Sequence, residues 1–445
     1  MNYTPHTEEE IRQMLADIGI SSIEQLFADI PKQLRARSFN IPAGKSESEV
    51  VKHLRYLASR NSTSLVYFIG AGFYDHYIPS VVDAIASLPE FYTAYTPYQP
   101  EASQGWLQAM YEYQTAICNL TDMEVANASL YDGGTALYEA CMMAMRINDR
   151  KKIVVDEGIN LIYWTMIQCY ISNLSLDVVK IPVKNFGIDR ENLFKQMDEK
   201  TSAVILQNPN FFGCIDDYSD IVEYAHKKGI IVIMAVYPIA LGLIKTPGEI
   251  GADIAVGEGQ SLGIPLSFGG PYLGFMATKK EFVRKMPGRI IGKTIDKNGK
   301  DCYVMTLQAR EQHIRREKAT SNICSNEALC ALRALVYLCL LGKKGLQEIA
   351  CLNLDKAEFA KQQLEKIPGI CVFRDRPTFN EFPVLLPENA NIIVNKMIAK
   401  GFAAGFPLGR YYRKMDKYLL ITVTEQRTKE EIVKFAESME AVLCS

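Results

Sequence analysis

A glycine-rich loop without a lysine is the stretch of this sequence on which catalytic chemistry would depend. Residues 256–271 (VGEGQSLGIPLSFGGP) contain five glycines and two prolines but no lysine. Short runs with the length and composition of buried strands flank the loop at 253–256 and 272–277. A lysine amine on such a loop could attack a carbonyl group to form an imine, which the amide of Gln260 cannot do. The loop therefore has the setting of a nucleophilic site without its nucleophile.

The position of Gln260 points to one class of cofactor site. The α/β enzymes that hold pyridoxal phosphate by a Schiff base carry their lysine on a strand-connecting, glycine-rich loop, because the amine must reach the aldehyde from a fixed backbone. Gln260 stands near the place where that lysine is expected. The sequence therefore predicts the scaffold of such a site without its covalent chemistry.

Alternating strand and helix patterns predict the elements that must position the loop. The strand-like runs are 153–155, 177–181, 203–207, 230–236 and 254–256, and the helical stretches between them are 160–171, 189–198 and 218–228. This alternation predicts a mostly parallel sheet with helices on both faces and right-handed crossovers. Ligands of such sheets lie beyond the carboxyl ends of the strands. The Gln260 loop, Tyr237 and the turn at Gly133 and Gly134 are therefore expected to converge.

The turn before one helix could bind an anion. Gly133, Gly134 and Thr135 precede a predicted helix at 136–146, and free backbone N–H groups at a helix start attract anions. Many helices start in this way without a ligand, so both interpretations stay open. A Gly-Ala-Gly sequence at 70–72 lacks the third glycine of a dinucleotide fingerprint, and a Rossmann site is not expected.

Composition indicates an ordinary globular protein. The chain has 445 residues, 48% of them hydrophobic, and its 49 basic and 51 acidic side chains give a net charge of −2. This balance gives no reason to expect nucleic-acid or membrane binding. The longest apolar run, residues 230–236, is too short to cross a bilayer. Residues 1–16 have the pattern of neither a secretory signal nor a transit peptide, so a cytoplasmic location is expected.

Cysteines and histidines give no sign of a disulfide framework or a metal centre. Eleven cysteines are scattered without a CxxC pair, and most, such as Cys330 and Cys339, stand in apolar helical surroundings. Buried reduced thiols are expected. The five histidines are too dispersed to indicate a metal site.

Three regions are predicted along the chain. Residues 1–63 form an N-terminal helical extension, with a capping box from Thr7 to Glu10 and helices near 8–19, 23–30 and 49–59. Residues 64–326 form a large α/β domain, whose last helix, at 307–318, has a basic face that is either solvated or meets an acidic partner. Residues 327–445 form a smaller α/β domain that begins with a long helix at 346–366.

Four long strings of this sequence resemble a known family. They are 95–105 (YTPYQPEASQG), 127–136 (NASLYDGGTA), 251–263 (GADIAVGEGQSLG) and 310–322 (REQHIRREKATSN). Nearly the whole chain resembles the P-protein of the glycine cleavage system, glycine dehydrogenase (decarboxylating). More narrowly, it resembles the first, or α, subunit of the two-chain form.

The resemblance implies a fold, a reaction and partners. The fold is the fold type I architecture of pyridoxal phosphate enzymes. In the reaction, glycine loses its carboxylate as CO2 and the remaining aminomethyl group passes to the lipoyl arm of H-protein. In this family the Schiff-base lysine belongs to the second, or β, subunit, which would hold the pyridoxal phosphate. An αβ or α2β2 heteromer is therefore implied, and this chain is expected to bind no cofactor of its own.

Two positions depart from the catalytic pattern that the resemblance implies. The family's catalytic half has His-Lys-Thr before a Pro-His-Gly-rich run, whereas this chain has Gly-Gln-Ser, which puts Gln260 at the lysine position. Fold type I enzymes place an aspartate at the end of the preceding strand to keep the pyridine nitrogen protonated. Tyr237 stands at that position. The α-type relatives commonly have Asp-Pro there, so Tyr237 departs from them as well.

Three hypotheses about function follow. The leading hypothesis is a non-catalytic α subunit that completes the active site of a heteromeric glycine decarboxylase. The second is a self-sufficient pyridoxal phosphate enzyme that uses Lys245, although this lysine stands in a turn that α-type relatives share. The third is a non-enzymatic docking module for H-protein.

An aromatic string gives the candidate interface residues. Residues 92–100 (YTAYTPYQP) are dense in tyrosine and proline, which suits an interface or a ligand wall, or a packed surface loop. We expect the string to be exposed, to cross the subunit interface and to line the mouth of the partner's active site. The candidate interface or site-lining residues are Tyr95, Tyr98, Gln99, Gly133, Gly134 and Thr135.

Overall fold

The computed structural model of the chain describes residues 6–36, 38, 40–267, 270–321, 323 and 325–444. Phe268 and Gly269 of the glycine-rich loop, and Asn322 of the fourth family-like string, lie outside the described residues. The chain divides into two compact units, Met1–Thr63 and Ser64–Ser445. The three-part domain division stays a prediction.

The first unit consists of two amphipathic helices and short 3-10 turns. Helix α1 spans Glu8–Ile18 and helix α2 spans Glu47–Ser59. Each begins at a capping box, with Thr7 capping α1 as predicted. The stretch predicted as a helix at 23–30 is a 3-10 helix, Ile23–Phe27. No residue of α1 or α2 is buried, so these helices do not form a core of their own.

The helices of the second unit run from α3 to α14. They are α3 Ser80–Ala86, α4 Pro89–Tyr92, α5 Gln104–Thr121, α6 Gly133–Asn148, α7 Leu161–Ile171, α8 Arg190–Gln196, α9 Ser219–Lys227, α10 Pro247–Ile250, α11 Gln312–Arg315, α12 Ala328–Leu364, α13 Ala390–Ile398 and α14 Lys429–Leu443. The predicted helices at 160–171, 189–198 and 218–228 correspond to α7, α8 and α9.

The strands of the second unit form a central sheet and smaller pairs. They are β1 Val66–Tyr67, β2 Val125–Ala126, β3 Lys152–Asp156, β4 Asp177–Ile181, β5 Val183–Lys184, β6 Gly187–Ile188, β7 Thr201–Asn208, β8 Ile231–Val236, β9 Ile254–Glu258, β10 Gly274–Thr278, β11 Ile290–Ile295, β12 Asp301–Thr306, β13 Cys371–Val372, β14 Glu381–Leu385, β15 Phe402–Ala403, β16 Phe406–Pro407 and β17 Tyr418–Thr422.

The central sheet has seven strands in the order β2-β10-β9-β8-β7-β3-β4. Strands β4, β3, β7, β8 and β9 are parallel, and β10 is antiparallel to both of its neighbours. Successive residues of a strand serve opposite faces, because side chains alternate along it. Val232 belongs to a core with α5, α9 and α12, whereas Ile233 belongs to a core with α6 and α7. The prediction of a mostly parallel sheet with helices on both faces is confirmed.

The C-terminal part of the second unit has its own sheet and core. The sheet order is β13-β14-β17-β16, and all of its pairs are antiparallel. Phe382, Ile421 and Phe435 contribute to its core. The short strand β1 pairs in parallel with β15, so the start of the second unit is tied to the C-terminal part.

Three sequence-based expectations differ from the structure. The stretch at 307–318 is not one helix but a 3-10 turn, the four-residue α11 and another 3-10 turn, because Leu307 and Arg316 both have a φ of 53°. Helix α12 contains the helix predicted at 346–366, but it is longer: non-helical backbone at Gly342 separates that part from a first part that begins at Ala328. Cys330 is buried as expected, whereas Cys339, also expected to be buried, is exposed.

The described part of the chain gives no sign of a metal centre or a membrane span. Its His, Cys, Asp and Glu side chains form no group of three or more that could hold a metal ion. None of its helices combines the length and the apolar character that crossing a bilayer requires.

Candidate functional site

The structure brings the glycine-rich loop and the Gly133 turn together at the carboxyl ends of the central strands. Glu258 is the last residue of β9, Tyr237 directly follows β8, and Gly133 begins α6. Both the Gly133 turn and the Gln260 loop donate hydrogen bonds to Glu258. All four of these residues are buried. This cluster is the candidate site.

The amide of Gln260 is bound to the chain's own backbone. Its Oε1 accepts the N–H of Tyr74 at 2.9 Å, and its Nε2 donates to the carbonyl oxygens of Tyr74 at 3.1 Å and Ile264 at 2.8 Å. The residue is 2% exposed. Because the oxygen and the nitrogen of the amide are both engaged, Gln260 holds the segment around Tyr74 against the loop.

Tyr237 is part of a buried series of polar groups. Its hydroxyl group hydrogen-bonds Nε2 of His76, and Nδ1 of His76 lies 2.6 Å from Oε2 of Glu425. Burial acts to raise the pKa of Glu425, but the hydrogen bonds from His76 and the Tyr77 N–H, with the electrostatic interaction of His76, outweigh burial and lower that pKa. The ring of Tyr237 packs on the ring of Tyr74, with centroids 4.3 Å apart. The phenol at the expected aspartate position therefore already has partners.

The carboxyl group of Glu258 receives three backbone hydrogen bonds. Its Oε2 accepts the N–H of Gly133 at 2.9 Å, and its Oε1 accepts those of Gln260 and Leu273 at 3.0 Å each. Burial raises the pKa of Glu258 to about 8, although these N–H groups act to lower it. Glu258 is not among the site residues predicted from the sequence. The only local signal was its place at the end of a buried strand, next to two glycines.

The start of helix α6 is capped by a second carboxylate. Asp132 accepts the backbone N–H of Thr135 and its hydroxyl group, each at 2.8 Å. With Glu258 bound to Gly133, two of the first three N–H groups of the helix are satisfied from within the chain. A Cβ on Gly133 would collide with the hydroxyl group of Tyr163, so glycine is required here by close packing. The predicted anion-attracting turn is therefore occupied by the chain's own carboxyl groups.

A segment from Gly70 to His76 runs between Gln260 and Tyr237, a role that was not predicted from the sequence. Its backbone turns at Ala71, which has a φ of 57°. Glu381 of the C-terminal part fixes the segment by accepting the Ala71 N–H at 2.7 Å and the Tyr74 hydroxyl at 2.9 Å. Burial raises the pKa of Glu381 to about 7. The Gly-Ala-Gly sequence thus serves a turn that brings Tyr74 and His76 into the site.

A cavity of about 640 Å³ adjoins the start of α6. Aromatic and acidic side chains line it, among them Phe73, Tyr131, Asp132, Tyr163, Glu258 and Tyr272. The described residues that line it include no lysine or arginine. A phosphate ester in this cavity would therefore meet carboxyl groups instead of cationic side chains.

The aromatic string is only partly exposed, in contrast to the expectation for the whole string. Tyr95 is 93% exposed and Gln99 is also exposed. Tyr98 is half-buried: its hydroxyl group hydrogen-bonds Ser325 at 3.0 Å and also Asn326. The guanidinium group of Arg289 lies 4.4 Å from its ring centroid. Tyr98 is thus held by its own chain, whereas Tyr95 is presented to its surroundings.

The residues of the candidate site do not fit pyridoxal phosphate. No amine replaces the amide of Gln260, so the cofactor aldehyde has no covalent partner there. The hydroxyl group of Tyr237 cannot supply the negative charge that keeps a pyridine nitrogen protonated. Glu258 binds the N–H groups of Gly133, Gln260 and Leu273, which are of the kind that bind phosphate. Within this cluster, Gln260, Tyr237 and Glu258 therefore offer no partner to the aldehyde, the pyridine nitrogen or the phosphate of the cofactor.

Comparison with known proteins relates the whole chain to one group of proteins. The family model described as glycine cleavage system P-protein matches residues 1–439. A protein of Geotalea uraniireducens (strain Rf4) named probable glycine dehydrogenase (decarboxylating) subunit 1 is 55% identical over 443 residues, which cover 100% of both chains.

Solved structures give the same relationship at the level of the fold. A crystal structure of glycine decarboxylase (P-protein) of the glycine cleavage system, in inhibitor-bound form, is 42% identical, covers 100% of both chains and has a TM-score of 0.93. Sphingosine-1-phosphate lyase of Burkholderia pseudomallei is 15% identical over 94% of both chains, with a TM-score of 0.63, and shares the fold alone. The architecture is that of fold type I pyridoxal phosphate enzymes. From these full-length matches, the chain belongs to the glycine cleavage system P-protein family.

Proposed function

We propose that this chain is the α subunit of a two-chain glycine decarboxylase. With a β subunit, it decarboxylates glycine and transfers the aminomethyl group to the lipoyl arm of H-protein. The chain takes no covalent part in the reaction. It acts as the structural partner that completes the active site of the β subunit.

One observation supports this proposal: the residues at the expected cofactor positions are hydrogen-bonded to groups of the chain itself. Gln260 is bound to the Tyr74 backbone, Tyr237 to His76, and the Gly133 N–H to Glu258. A fold type I chain with such a site can still contribute to catalysis if it pairs with a chain that carries the lysine. The relatives named subunit 1, which match over their full length, support a partner subunit.

In this proposal the β subunit holds the pyridoxal phosphate, which supplies the electron sink for decarboxylation. Glycine and lipoylated H-protein are the substrates of the αβ or α2β2 heteromer. An obligate interface of this kind should bury on the order of 2,000 Å² or more, with an apolar centre. The expected cytoplasmic location stays a prediction.

The aromatic string is the part of this chain that we assign to the partner's active site. Tyr95 is the best placed of its residues to cross the interface, because its side chain is almost fully exposed. The hydroxyl group of Tyr98 fixes the string to the rest of the chain by hydrogen bonds to Ser325 and Asn326. Proline residues on either side of Tyr98 stiffen the string, so it loses little entropy when it docks.

The two alternative hypotheses have less support. Lys245, the candidate nucleophile of a self-sufficient enzyme, has a side chain that is 60% exposed and pairs with Asp217 at 3.2 Å. It lines a groove between α5 and α12, and neither Tyr237 nor Gln260 is among the described residues that line that groove. No observation favours a docking module for H-protein that has no part in an active site.

Co-expression with a β subunit tests the proposal. We expect one heteromeric peak in size-exclusion chromatography and glycine decarboxylation in the presence of lipoylated H-protein. A monomer that persists in the mixture would contradict the heteromer. The isolated chain should be inactive toward glycine, and borohydride reduction with pyridoxal phosphate should leave its mass unchanged. A pyridoxyl-lysine in this chain would refute the assignment.

A further inference from the structure

We infer that the carboxyl group of Glu258 is a built-in substitute for a phosphate group, which closes the site of this chain to phosphate esters. The inference deepens the proposed function, because it names the group that prevents a second cofactor site. It predicts that a lysine at position 260 alone would not restore cofactor binding.

The donors around Glu258 form an anion-binding arrangement. The three N–H groups come from the start of α6, from the Gln260 loop and from the residue before β10. These segments are distant in sequence: Gly133 precedes Glu258 by 125 residues, and Leu273 follows it by 15. Backbone N–H groups that converge in this way, with one at a helix start, suit phosphate or carboxylate oxygens. In this chain the oxygens come from a side chain.

Glu258 lies beside a cavity, so truncation of its side chain can show whether the freed N–H groups bind an anion. Glu258 lines the cavity of about 640 Å³, so truncation of its side chain would leave the three N–H groups next to that cavity instead of in a packed core. The volume suits a small organic ligand. Asp132 and Glu327 also line the cavity, and their carboxyl groups remain after the truncation.

The alternative is that Glu258 is only a structural acceptor, which satisfies buried N–H groups and has no relation to a ligand. Both interpretations predict that loss of the carboxyl group destabilises the chain, because three buried donors lose their acceptor. They differ in one respect. Only an anion-binding arrangement gains affinity for an added anion when the resident carboxyl group is removed.

The first experiment uses Glu258→Ala in the full chain, with inorganic phosphate as the probe. Thermal unfolding and equilibrium dialysis are compared in phosphate and in chloride of equal ionic strength. We expect Glu258→Ala to melt at a lower temperature than the parent chain in chloride, to regain part of that loss in phosphate, and to bind about one phosphate per chain. The parent chain and Glu327→Ala, which removes a carboxyl group from the same cavity wall, should show no phosphate-specific shift. Absence of phosphate binding to folded Glu258→Ala, or equal binding to all three chains, would overturn the inference.

The second experiment can overturn the inference even where Glu258→Ala does not fold. Gln260→Lys restores an amine and keeps Glu258. We expect no pyridoxyl adduct at residue 260 after incubation with pyridoxal 5′-phosphate and borohydride reduction, whereas Gln260→Lys with Glu258→Ala should acquire one. An adduct at residue 260 of Gln260→Lys alone would overturn the inference. Both experiments compare variants of the isolated chain, whereas the proposed function is tested with the parent chain, alone and in the heteromer, so failure of the inference and failure of the proposed function can be told apart.

Discussion

The hydroxyl group of Tyr237 hydrogen-bonds Nε2 of His76 in the interior of the second unit. Tyr237 follows strand β8 of the central sheet, and His76 belongs to the segment that also contacts Gln260 through Tyr74. Glu425, on the other side of the imidazole, comes from the C-terminal part. The residue at the expected aspartate position thus joins three regions of the chain, and this gives it a structural role that can be measured.

Tyr237→Phe should destabilise the chain. The exchange leaves Nε2 of the buried His76 without its partner, which costs about 1–3 kcal/mol. Urea unfolding followed by circular dichroism measures the change. Tyr95→Phe is the matched control, because Tyr95 is 93% exposed; it should change the free energy of unfolding by less than about 0.5 kcal/mol. Equal effects of the two exchanges would contradict a specific role for Tyr237.

Glu258 and Glu381 should make the folded chain less stable as pH rises from about 4.5 to about 8. Burial raises their pKa values to about 8 and about 7, whereas a glutamate in the unfolded chain ionises near pH 4.3. In this window the folded chain binds more protons than the unfolded chain. The free energy of unfolding therefore falls with pH, by up to about 1.4 kcal/mol per pH unit for each retained proton.

Unfolding by urea at a series of pH values in this window measures the slope. Glu381→Gln should make the slope shallower, since the amide does not titrate. Glu199→Gln, at an exposed position, should leave it unchanged. A stability that is constant or rises across the window would show that these two carboxyl groups are ionised in the folded chain.

Gly133→Ala should destabilise the chain by overpacking. The added methyl group would collide with the Tyr163 hydroxyl group, and such insertions cost about 1–3 kcal/mol. Gly105→Ala in α5 is the control, because a Cβ there meets nothing within 4 Å. It should be neutral or stabilise the chain by up to about 1 kcal/mol. Thermal unfolding of both variants gives the comparison.

Tyr95→Ala and Tyr98→Phe should distinguish a residue of the string that acts at the subunit interface from one that holds the string in place. Tyr95→Ala should leave the stability of the isolated chain unchanged and lower the glycine decarboxylation rate of the assembled complex on the order of tenfold, about 1.4 kcal/mol. Tyr98→Phe loses the hydrogen bonds to Ser325 and Asn326 and should destabilise the isolated chain by about 1 kcal/mol. Full activity of an assembled Tyr95→Ala complex would remove Tyr95 from the active site.

Lys245→Ala should leave the activity of the complex unchanged. The lysine is exposed and its ion pair with Asp217 is a surface pair, worth about 0–1 kcal/mol. Steady-state assay of the heteromer tests this expectation. Loss of activity with intact assembly would favour the self-sufficient enzyme that uses Lys245.

The sequence predicted the fold better than it predicted the hydrogen-bond partners of the residues in the candidate site. The buried strands β3, β7 and β8 are continuous apolar runs, and such runs between amphipathic helices indicate a covered parallel sheet. The prediction of one helix at 307–318 was wrong, because a pattern of charges does not reveal the positive φ of Arg316. The sequence pattern likewise gave no sign that α12 begins at Ala328, before the interruption at Gly342.

The sequence predicted where the candidate site lies, but it did not predict the contacts between the residues of the site. Gln260 and Tyr237 were identified because they replace residue types that the chemistry needs. Their contacts involve Tyr74 and His76, which are 186 and 161 residues away in the sequence. A local pattern carries no information about such pairs, since it depends on periodicity over a few turns or strands.

The hydrogen bonds of the Gly70–His76 segment also determine when this region can form during synthesis. Ala71 is held by Glu381, 310 residues later, and His76 by Glu425, 349 residues later. A ribosome makes the chain from its N-terminus, so these acceptors emerge only near the end of translation. Contacts of such large sequence separation also form slowly, because the entropy of closing the intervening loop is lost first. The segment that contacts Gln260 and Tyr237 is therefore among the first parts of the second unit to be synthesised and among the last to acquire its native contacts.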